Sequence, residues 1–181
     1  MSPLIAADKI EAARKRIANV VRHTPLMRNA RLSALYDAEI LLKREDLQEV
    51  RSYKIRGAYN RMSQLSDEQR AAGVVCASAG NHAQGFAYAC HAMEIHGRVF
   101  MPAVTPKQKV EKVKLFGQEH VEIILTGDTF DDAAAEAHRA AEEGLTYIPP
   151  FDDPAIIEGQ GTVGAEILED HPEPIDMVLV A

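Results

Sequence analysis

Lys54 is the residue whose type and surroundings best fit covalent chemistry. It lies in the segment Ser52-Tyr53-Lys54-Ile55-Arg56-Gly57-Ala58, directly before a helix-like run. A protonated lysine, with an ordinary pKa of about 10.4, is a poor nucleophile. Partial burial, or a cationic neighbour such as Arg56, would lower that pKa and free the amine to react with an aldehyde. The alternative for a lone lysine is a solvated side chain that opens a helix.

A second motif begins 24 positions later, at Ser78-Ala79-Gly80-Asn81-His82-Ala83-Gln84-Gly85. It follows the apolar stretch 74–77, so it is predicted to link a strand to a helix. The free N–H groups at the start of such a helix attract carboxylates and phosphates. Asn81 could donate to a ligand oxygen, or it could simply cap the helix. A positioned amine and an anion-binding turn together suggest an enzyme that holds an aldehyde cofactor and an amino acid.

The elements around these motifs alternate between helical and strand-like patterns. The predicted helices are 8–21, 55–65, a short one from 66, 81–93, one from 106 to about 117, 129–143 and one from 153. The predicted strands are 40–42, 74–77, 98–101, 121–125, 147–148 and 177–180. Apolar strands that alternate with helices favour an α/β fold, with mostly parallel sheets covered by helices on both faces.

Several helix boundaries have recognisable signals. The segment from Ser66 to Gln69 has capping-box spacing. A capping hydroxyl at Thr105 precedes Pro106, which suits the first helical position. Gly144 is expected to close the alanine-rich helix before it.

Composition excludes several classes of function. The 20 basic and 27 acidic residues give a net charge of −7, and no basic stripe suggests a nucleic-acid partner. No secretory core or membrane-spanning run is evident, since a span needs about 20 apolar residues. Cys76 and Cys90 are expected to be two buried thiols in a reducing cytoplasm, and a disulfide between them is the alternative. His91 and His96 have no clear third ligand, so no metal site is predicted.

The stretch Gly159-Gln160-Gly161-Thr162-Val163-Gly164 has the spacing of a dinucleotide-binding fingerprint. That fingerprint requires a strand immediately before it, whereas the preceding residues are helical in pattern. Close helix packing at the glycines is the better interpretation.

Three segments resemble the fold type II (tryptophan synthase beta-like) pyridoxal-phosphate enzymes, and specifically the threonine dehydratases (threonine ammonia-lyases). The segment 52–58 resembles the cofactor-lysine segment of the family, and the segment 78–85 resembles its substrate-carboxylate loop. The third, Pro150-Phe151-Asp152-Asp153-Pro154 running on to Gly159-Gln160-Gly161-Thr162, is similar to a segment of threonine dehydratases and serine racemases. The resemblance extends from about residue 21 to residue 181.

The resemblance implies pyridoxal 5'-phosphate as the cofactor and Lys54 as the catalytic lysine bonded to it. Asn81 would hydrogen-bond the ring and Tyr53 would lie near its plane. The substrate carboxylate would be held by a turn made of Ser78, Ala79, Gly80, Asn81 and His82. The implied reaction is deamination of L-threonine to 2-oxobutanoate, or of L-serine to pyruvate, with release of ammonia. A cytoplasmic homo-oligomer acting in isoleucine biosynthesis, without a nucleic-acid or membrane partner, is the implied setting.

Position 79 distinguishes between relatives. In serine racemases of this fold the second residue of the Ser-x-Gly-Asn turn is a serine that acts as a second acid or base. Ala79 has no proton to exchange, so elimination is favoured over racemisation.

The resemblance also implies a division into segments. Residues 1–50 would start the large domain, 51–149 would form a complete small α/β domain, and 150–181 would return to a partial large domain. The family's glycine-rich phosphate segment is expected beyond Ala181, so the chain is interpreted as the front part of a longer enzyme, weak or inactive alone. The alternatives are a non-catalytic interaction module that pairs through the sheet edge at 178–181, and a serine racemase or other amino-acid lyase of the same fold.

Overall fold

The computed structural model describes residues 5–180. Its helices are α1 (Ala7–Ile17), α2 (Ala30–Tyr36), α3 (Lys54–Met62), α4 (Asp67–Ala72), α5 (Asn81–Met93), α6 (Lys107–Gly117), α7 (Phe130–Glu142) and α8 (Pro154–Asp170). Its strands are β1 (Leu26–Arg28), β2 (Leu41–Lys43), β3 (Val74–Ala77), β4 (Gly97–Met101), β5 (Val121–Leu125) and β6 (Thr146–Tyr147). Short 3-10 turns span Glu45–Leu47 and Gln118–His120.

The main sheet has four strands in the order β5-β4-β3-β6, and every pair is parallel. Successive residues of β3 face opposite sides, and each side has its own apolar core. Val74 and Cys76 pack with residues of α5 and α6, whereas Val75 and Ala77 pack with alanines of α7. Helices therefore cover both faces, and the predicted α/β architecture is confirmed.

A separate two-stranded ribbon lies near the start of the chain, and only one of its two strands was predicted. Strand β2 lies where an apolar strand was expected, and it pairs antiparallel with β1, with Met27 opposite Leu42. Neither β1 nor α2 was predicted. Helix α2 begins after Asn29, whose side chain accepts from Leu32 N, and it ends at Asp37 with a left-handed φ of 49°. Both elements are too short for periodicity to reveal.

Most of the helix-boundary signals in the sequence were confirmed. The Ser66 capping box is present at the start of α4, and Asp153 accepts from Ile156 N at the start of α8. The Thr105 cap was wrong. Pro106 has an extended ψ of 135°, so the helix begins one residue later, and the Thr105 hydroxyl is buried without a partner among the described residues.

The predicted strand at 177–180 was also wrong, because those residues form no regular element. A strand needs a backbone neighbour, and no described residue pairs with this segment. Its side chains are largely solvent-exposed instead, with Leu179 at 87%.

Helices α3 and α8 cross at unusually short range. An ideal Cβ on Gly159 would lie 2.5 Å from the Arg56 carbonyl oxygen, and one on Gly57 would lie 2.8 Å from the Ile156 carbonyl oxygen. The segment with fingerprint spacing is thus part of a helix, and helix packing at Gly159 is confirmed. The crossing fixes α3, whose first residue is Lys54.

Two further sequence expectations concern thiols and membranes. Cys76 and Cys90 are both free and buried, as expected. Within residues 5–180, no helix has both the length and the apolar character needed to cross a bilayer.

Gly159→Ala is expected to lower the free energy of unfolding by about 1–3 kcal/mol, because the added methyl group meets backbone atoms of α3. Gly164→Ala is the matched control in the same helix, since its Cβ would enter open space. Alanine there should raise the free energy of unfolding by roughly 0.5–1 kcal/mol through helix propensity. Urea unfolding measures both changes, and equal effects of the two substitutions would contradict this account of the crossing.

Candidate active site

Lys54 is held at the N-terminus of α3 by a neutral partner. Its Nζ donates a hydrogen bond of 2.9 Å to the Pro150 carbonyl oxygen. Burial lowers the pKa of Lys54. Of the two causes that the sequence left open, burial is the one at work, because the Arg56 guanidinium is bound to Glu45 and Glu166 instead. The uncharged, nucleophilic form of the amine is therefore easier to reach than in a solvated lysine.

The turn between β3 and α5 is organised by Ser78. Its Oγ accepts hydrogen bonds from Gly80 N and Ala83 N, at 3.2 and 3.3 Å. Asn81 is the first residue of α5 and does not cap it, so the capping alternative for that residue was wrong. The Asn81 side chain is exposed and has no hydrogen-bond partner within residues 5–180.

The backbone at this turn is suited to an anion. The N–H groups of Asn81 and His82 find no acceptor in the described part of the chain. Open space surrounds Gly80, where an added Cβ would have no neighbour within 4 Å. Free donors at a helix N-terminus bind carboxylate and phosphate groups.

His82 is buried and neutral. Burial lowers its pKa to about 4 and the charge of Lys54 acts in the same sense, against the opposite effect of its hydrogen bond to Ile148. Its Nε2 lies 3.0 Å from the Ile148 carbonyl oxygen. Because that oxygen can only accept, Nε2 carries the proton, and Nδ1 is a buried acceptor without a partner among the described residues.

The three segments singled out in the sequence meet at one place. Helix α5 packs on the start of α3 so closely that a Cβ on Gly85 would lie 3.0 Å from the Lys54 carbonyl group. The loop after β6 accepts hydrogen bonds from both motifs, through Ile148 for His82 and through Pro150 for Lys54. The amine and the turn therefore share a common support.

Tyr53 and Ala79 complete the set of predicted residues. The Nζ of Lys54 lies 5.4 Å from the centroid of the Tyr53 ring. Ala79 is half-buried and packs against the main core. Both thus lie in the two segments that converge, although their roles toward a ligand remain predictions.

Sequence reasoning missed a buried ionic network around Arg56, two residues after the lysine in α3. Arg56 donates to Glu45 at 2.7 and 2.8 Å and to Glu166 at 2.7 and 2.9 Å. Lys43 adds a contact of 2.8 Å to Glu166. Burial alone would raise the pKa of Glu166, but the hydrogen bonds from Arg56 and Lys43 outweigh burial and lower it. Such partners, far apart in the chain, leave no local sequence signal.

These features fit a ligand that offers an aldehyde and an anionic group. The lowered pKa of Lys54 suits attack on an aldehyde, and the free N–H groups of the turn suit an anion. The exposed Asn81 amide adds a donor that no described residue uses.

Comparisons with known proteins agree with this chemistry. The family model described as "Pyridoxal-phosphate dependent enzyme" matches residues 17–181. The biosynthetic L-threonine dehydratase IlvA of Bacillus subtilis is 57% identical over 168 residues, which cover 92% of this chain and 40% of that protein. The chain thus spans about two-fifths of the length of such relatives.

Two solved structures show the same fold. The processed form of threonine deaminase isoform 2 from Solanum lycopersicum has a TM-score of 0.81 and 41% identity, covering 92% of this chain and 47% of its own. Maize serine racemase has a TM-score of 0.86 and 37% identity, covering 92% of this chain and 50% of its own. The fold assignment rests on both.

Glu166→Gln is expected to lower the free energy of unfolding at pH 7 by about 3–5 kcal/mol, because it leaves Arg56 and Lys43 buried without their anion. A carboxyl group whose pKa is lowered by folding stabilises the protein above its unfolded pKa of about 4.3. The difference between variant and wild type should therefore narrow as the pH falls below about 4.

Urea unfolding at neutral and acidic pH measures this difference. Glu169→Gln is the matched control, because Glu169 is exposed in the same helix and pairs with Arg14 at the surface. Its effect should stay below about 1 kcal/mol. A Glu166→Gln effect that did not change with pH would contradict the ionic account.

Proposed function

The chain belongs to the pyridoxal-phosphate dependent enzyme family, as the sequence predicted, and we propose that its protein deaminates L-threonine to 2-oxobutanoate and ammonia. L-Serine, which would give pyruvate, is the second proposed substrate. The observation that carries the proposal is the Lys54 amine, with its lowered pKa, beside an open anion-binding turn. The name of the Bacillus subtilis relative, a threonine dehydratase, supports the choice of reaction.

Pyridoxal phosphate, when bound, supplies an aldehyde that joins an amine and a ring that accepts electrons. We propose Lys54 as the residue that holds the cofactor covalently, Asn81 as a hydrogen-bond donor to its ring and Tyr53 as a neighbour of that ring. Asn81 supports this role because its side chain is exposed and free of described partners.

Lys54 is also the proposed base. The amino group of the substrate would take the place of Nζ on the cofactor, and the freed amine would then take the proton from the α-carbon, which requires its uncharged form. Burial favours that form by lowering the pKa of Lys54. His82 stays neutral at physiological pH, so the turn would hold an anionic substrate with its backbone N–H groups and without a histidine charge.

The carboxylate of the amino acid is proposed to bind the turn made of Ser78, Ala79, Gly80, Asn81 and His82. The N–H groups of Asn81 and His82 would donate to it. The Ser78 hydroxyl already ties the turn together through Gly80 and Ala83, so its role is to fix the shape of the turn before a substrate arrives.

Ala79 supports deamination over racemisation. Inversion at the α-carbon needs a proton donor on the face opposite the base, and a methyl group cannot donate one. A serine racemase of the same fold is therefore the weaker candidate, although maize serine racemase is a structural neighbour.

We further propose that the protein works in the cytoplasm as a homo-oligomer, on a small-molecule amino-acid substrate. The division into 1–50, 51–149 and 150–181 is proposed in the same way. It is supported by the main sheet, whose strands all lie between Val74 and Tyr147.

Incubation with pyridoxal phosphate, followed by borohydride reduction and peptide mapping, should label Lys54. Lys54→Ala should remove this label, whereas Lys112→Ala, which changes an exposed lysine of α6, should keep it. The reason is the lowered pKa of the partly buried amine. A label spread over exposed lysines with no excess at Lys54 would contradict the proposed cofactor site.

Addition of L-threonine to the cofactor-loaded protein should yield 2-oxobutanoate, measured by chromatography. Lys54→Ala should reduce the rate by about 10²–10⁴-fold, the range expected for removal of a general base. If L-serine gave more D-serine than pyruvate, the racemase alternative would replace the dehydratase. Absence of both the Lys54 label and the keto acid would favour the non-catalytic interaction module.

A further inference from the structure

A second cluster of chemically capable side chains lies away from Lys54. His91 is in the last turn of α5, and Glu119 and His120 are in the 3-10 turn Gln118–His120. The Nδ1 atoms of the two histidines are 3.3 Å apart, and Glu119 Oε1 is 3.8 Å from His120 Nδ1. The three potential ligand atoms all lie within 4.8 Å of one another.

The fold holds this turn against α5. An ideal Cβ on Gly117 would lie 2.6 Å from Val121 and 3.3 Å from the Ala87 Cβ, so glycine avoids a clash with Val121 and the turn packs tightly on α5. The chain turns at once, with Gln118 at a φ of +47°. Glu119 and His120, which follow, therefore lie at the C-terminal end of α5, beside His91.

The spacing of the two imidazoles matches the needs of a metal ion. Zinc binds histidine nitrogen at about 2.0–2.1 Å in tetrahedral geometry, which separates two nitrogen ligands by roughly 3.3–3.4 Å. The Nδ1 atoms stand 3.3 Å apart. The Glu119 side chain is 72% exposed, so it can rotate to bring its oxygen closer.

We propose that His91, Glu119 and His120 bind a divalent transition-metal ion of the zinc class, with water as the fourth ligand. Two imidazoles and a carboxylate are ligands that zinc commonly takes, with one position open to water. The C-terminal end of α5, which carries His91, adds the negative end of the helix dipole and favours a cation. A hydrogen bond between two neutral imidazoles is the competing explanation of the short distance.

The site is separate from the proposed chemistry. His91 and Asn81 lie ten residues apart on α5, which places them roughly 15 Å from each other along the helix. A metal ion there would tie α5 to the turn after α6, and its effect would be on stability. The proposal therefore stands or falls independently of the deaminase proposal.

Calorimetric titration of the cofactor-free chain with Zn²⁺ tests the site. His120→Gln should weaken Zn²⁺ binding by about tenfold or more, since it removes one of two imidazole ligands. His96→Gln is the matched control, because His96 is an exposed histidine outside the cluster. It should bind Zn²⁺ as the wild type does, with one equivalent of ion.

Two further measurements guard against a folding defect. Zn²⁺ should raise the melting temperature of the wild type and of His96→Gln, but not that of His120→Gln. Glu119→His, which changes an exposed side chain, should tighten Zn²⁺ binding by adding a third imidazole. Equal Zn²⁺ affinity in the wild type and His120→Gln, or no binding by the wild type at millimolar Zn²⁺, would overturn the proposal and leave the hydrogen-bonded histidine pair.

Discussion

The close crossing of α3 and α8 is the constraint on which the rest of the site depends. Glycines at 57 and 159 let the two backbones approach to distances that any side chain would prevent. Beside them Arg56 is bound to Glu166 of α8 and to Glu45, so the crossing is held by charge as well as by shape. Because Lys54 is the first residue of α3, its position follows from a contact made two to three residues further along that helix.

The charged surroundings of Arg56 are separate from the neutral surroundings of Lys54. The network around Arg56 is ionic and fully paired, whereas the surroundings of Lys54 are neutral carbonyl groups and a neutral histidine. If Glu45 or Glu166 lay beside Lys54, the carboxylate would stabilise the ammonium form. Because both carboxylates pair with Arg56 instead, they do not oppose the effect of burial, which lowers the pKa of Lys54.

The sequence predicted the elements and the motifs better than the contacts between them. Apolar strand 74–77, the helix from 81 and the capping box at Ser66 all rest on local patterns, and local patterns are readable. Helix α2 and strand β1 are too short to show a period, and the Thr105 cap failed on the backbone conformation of Pro106. The strand at 177–180 depended on a pairing partner, which a local pattern does not supply.

The site shows the same division. Lys54 and the turn at 78–82 were identifiable because their residue types carry chemistry. The carbonyl groups of Ile148 and Pro150, which accept hydrogen bonds from His82 and Lys54, could not be identified in the sequence because every residue has a carbonyl group. The network from Arg56 to Glu166 joins residues 110 positions apart, and the pair His91 and His120 joins residues 29 apart. Pairs so far apart in the sequence can be identified only once the fold is known.

The hydrogen bond from Lys54 to the Pro150 carbonyl bears on the role proposed for the lysine. A net contribution of about 1 kcal/mol is typical of such a bond, compared with about 3–5 kcal/mol for breaking a buried ion pair. In the proposed reaction the amine would therefore be ordered by a partner that it can leave and rejoin in each cycle. A reactive group that must exchange partners repeatedly is better served by a weak, uncharged resting contact than by a strong one.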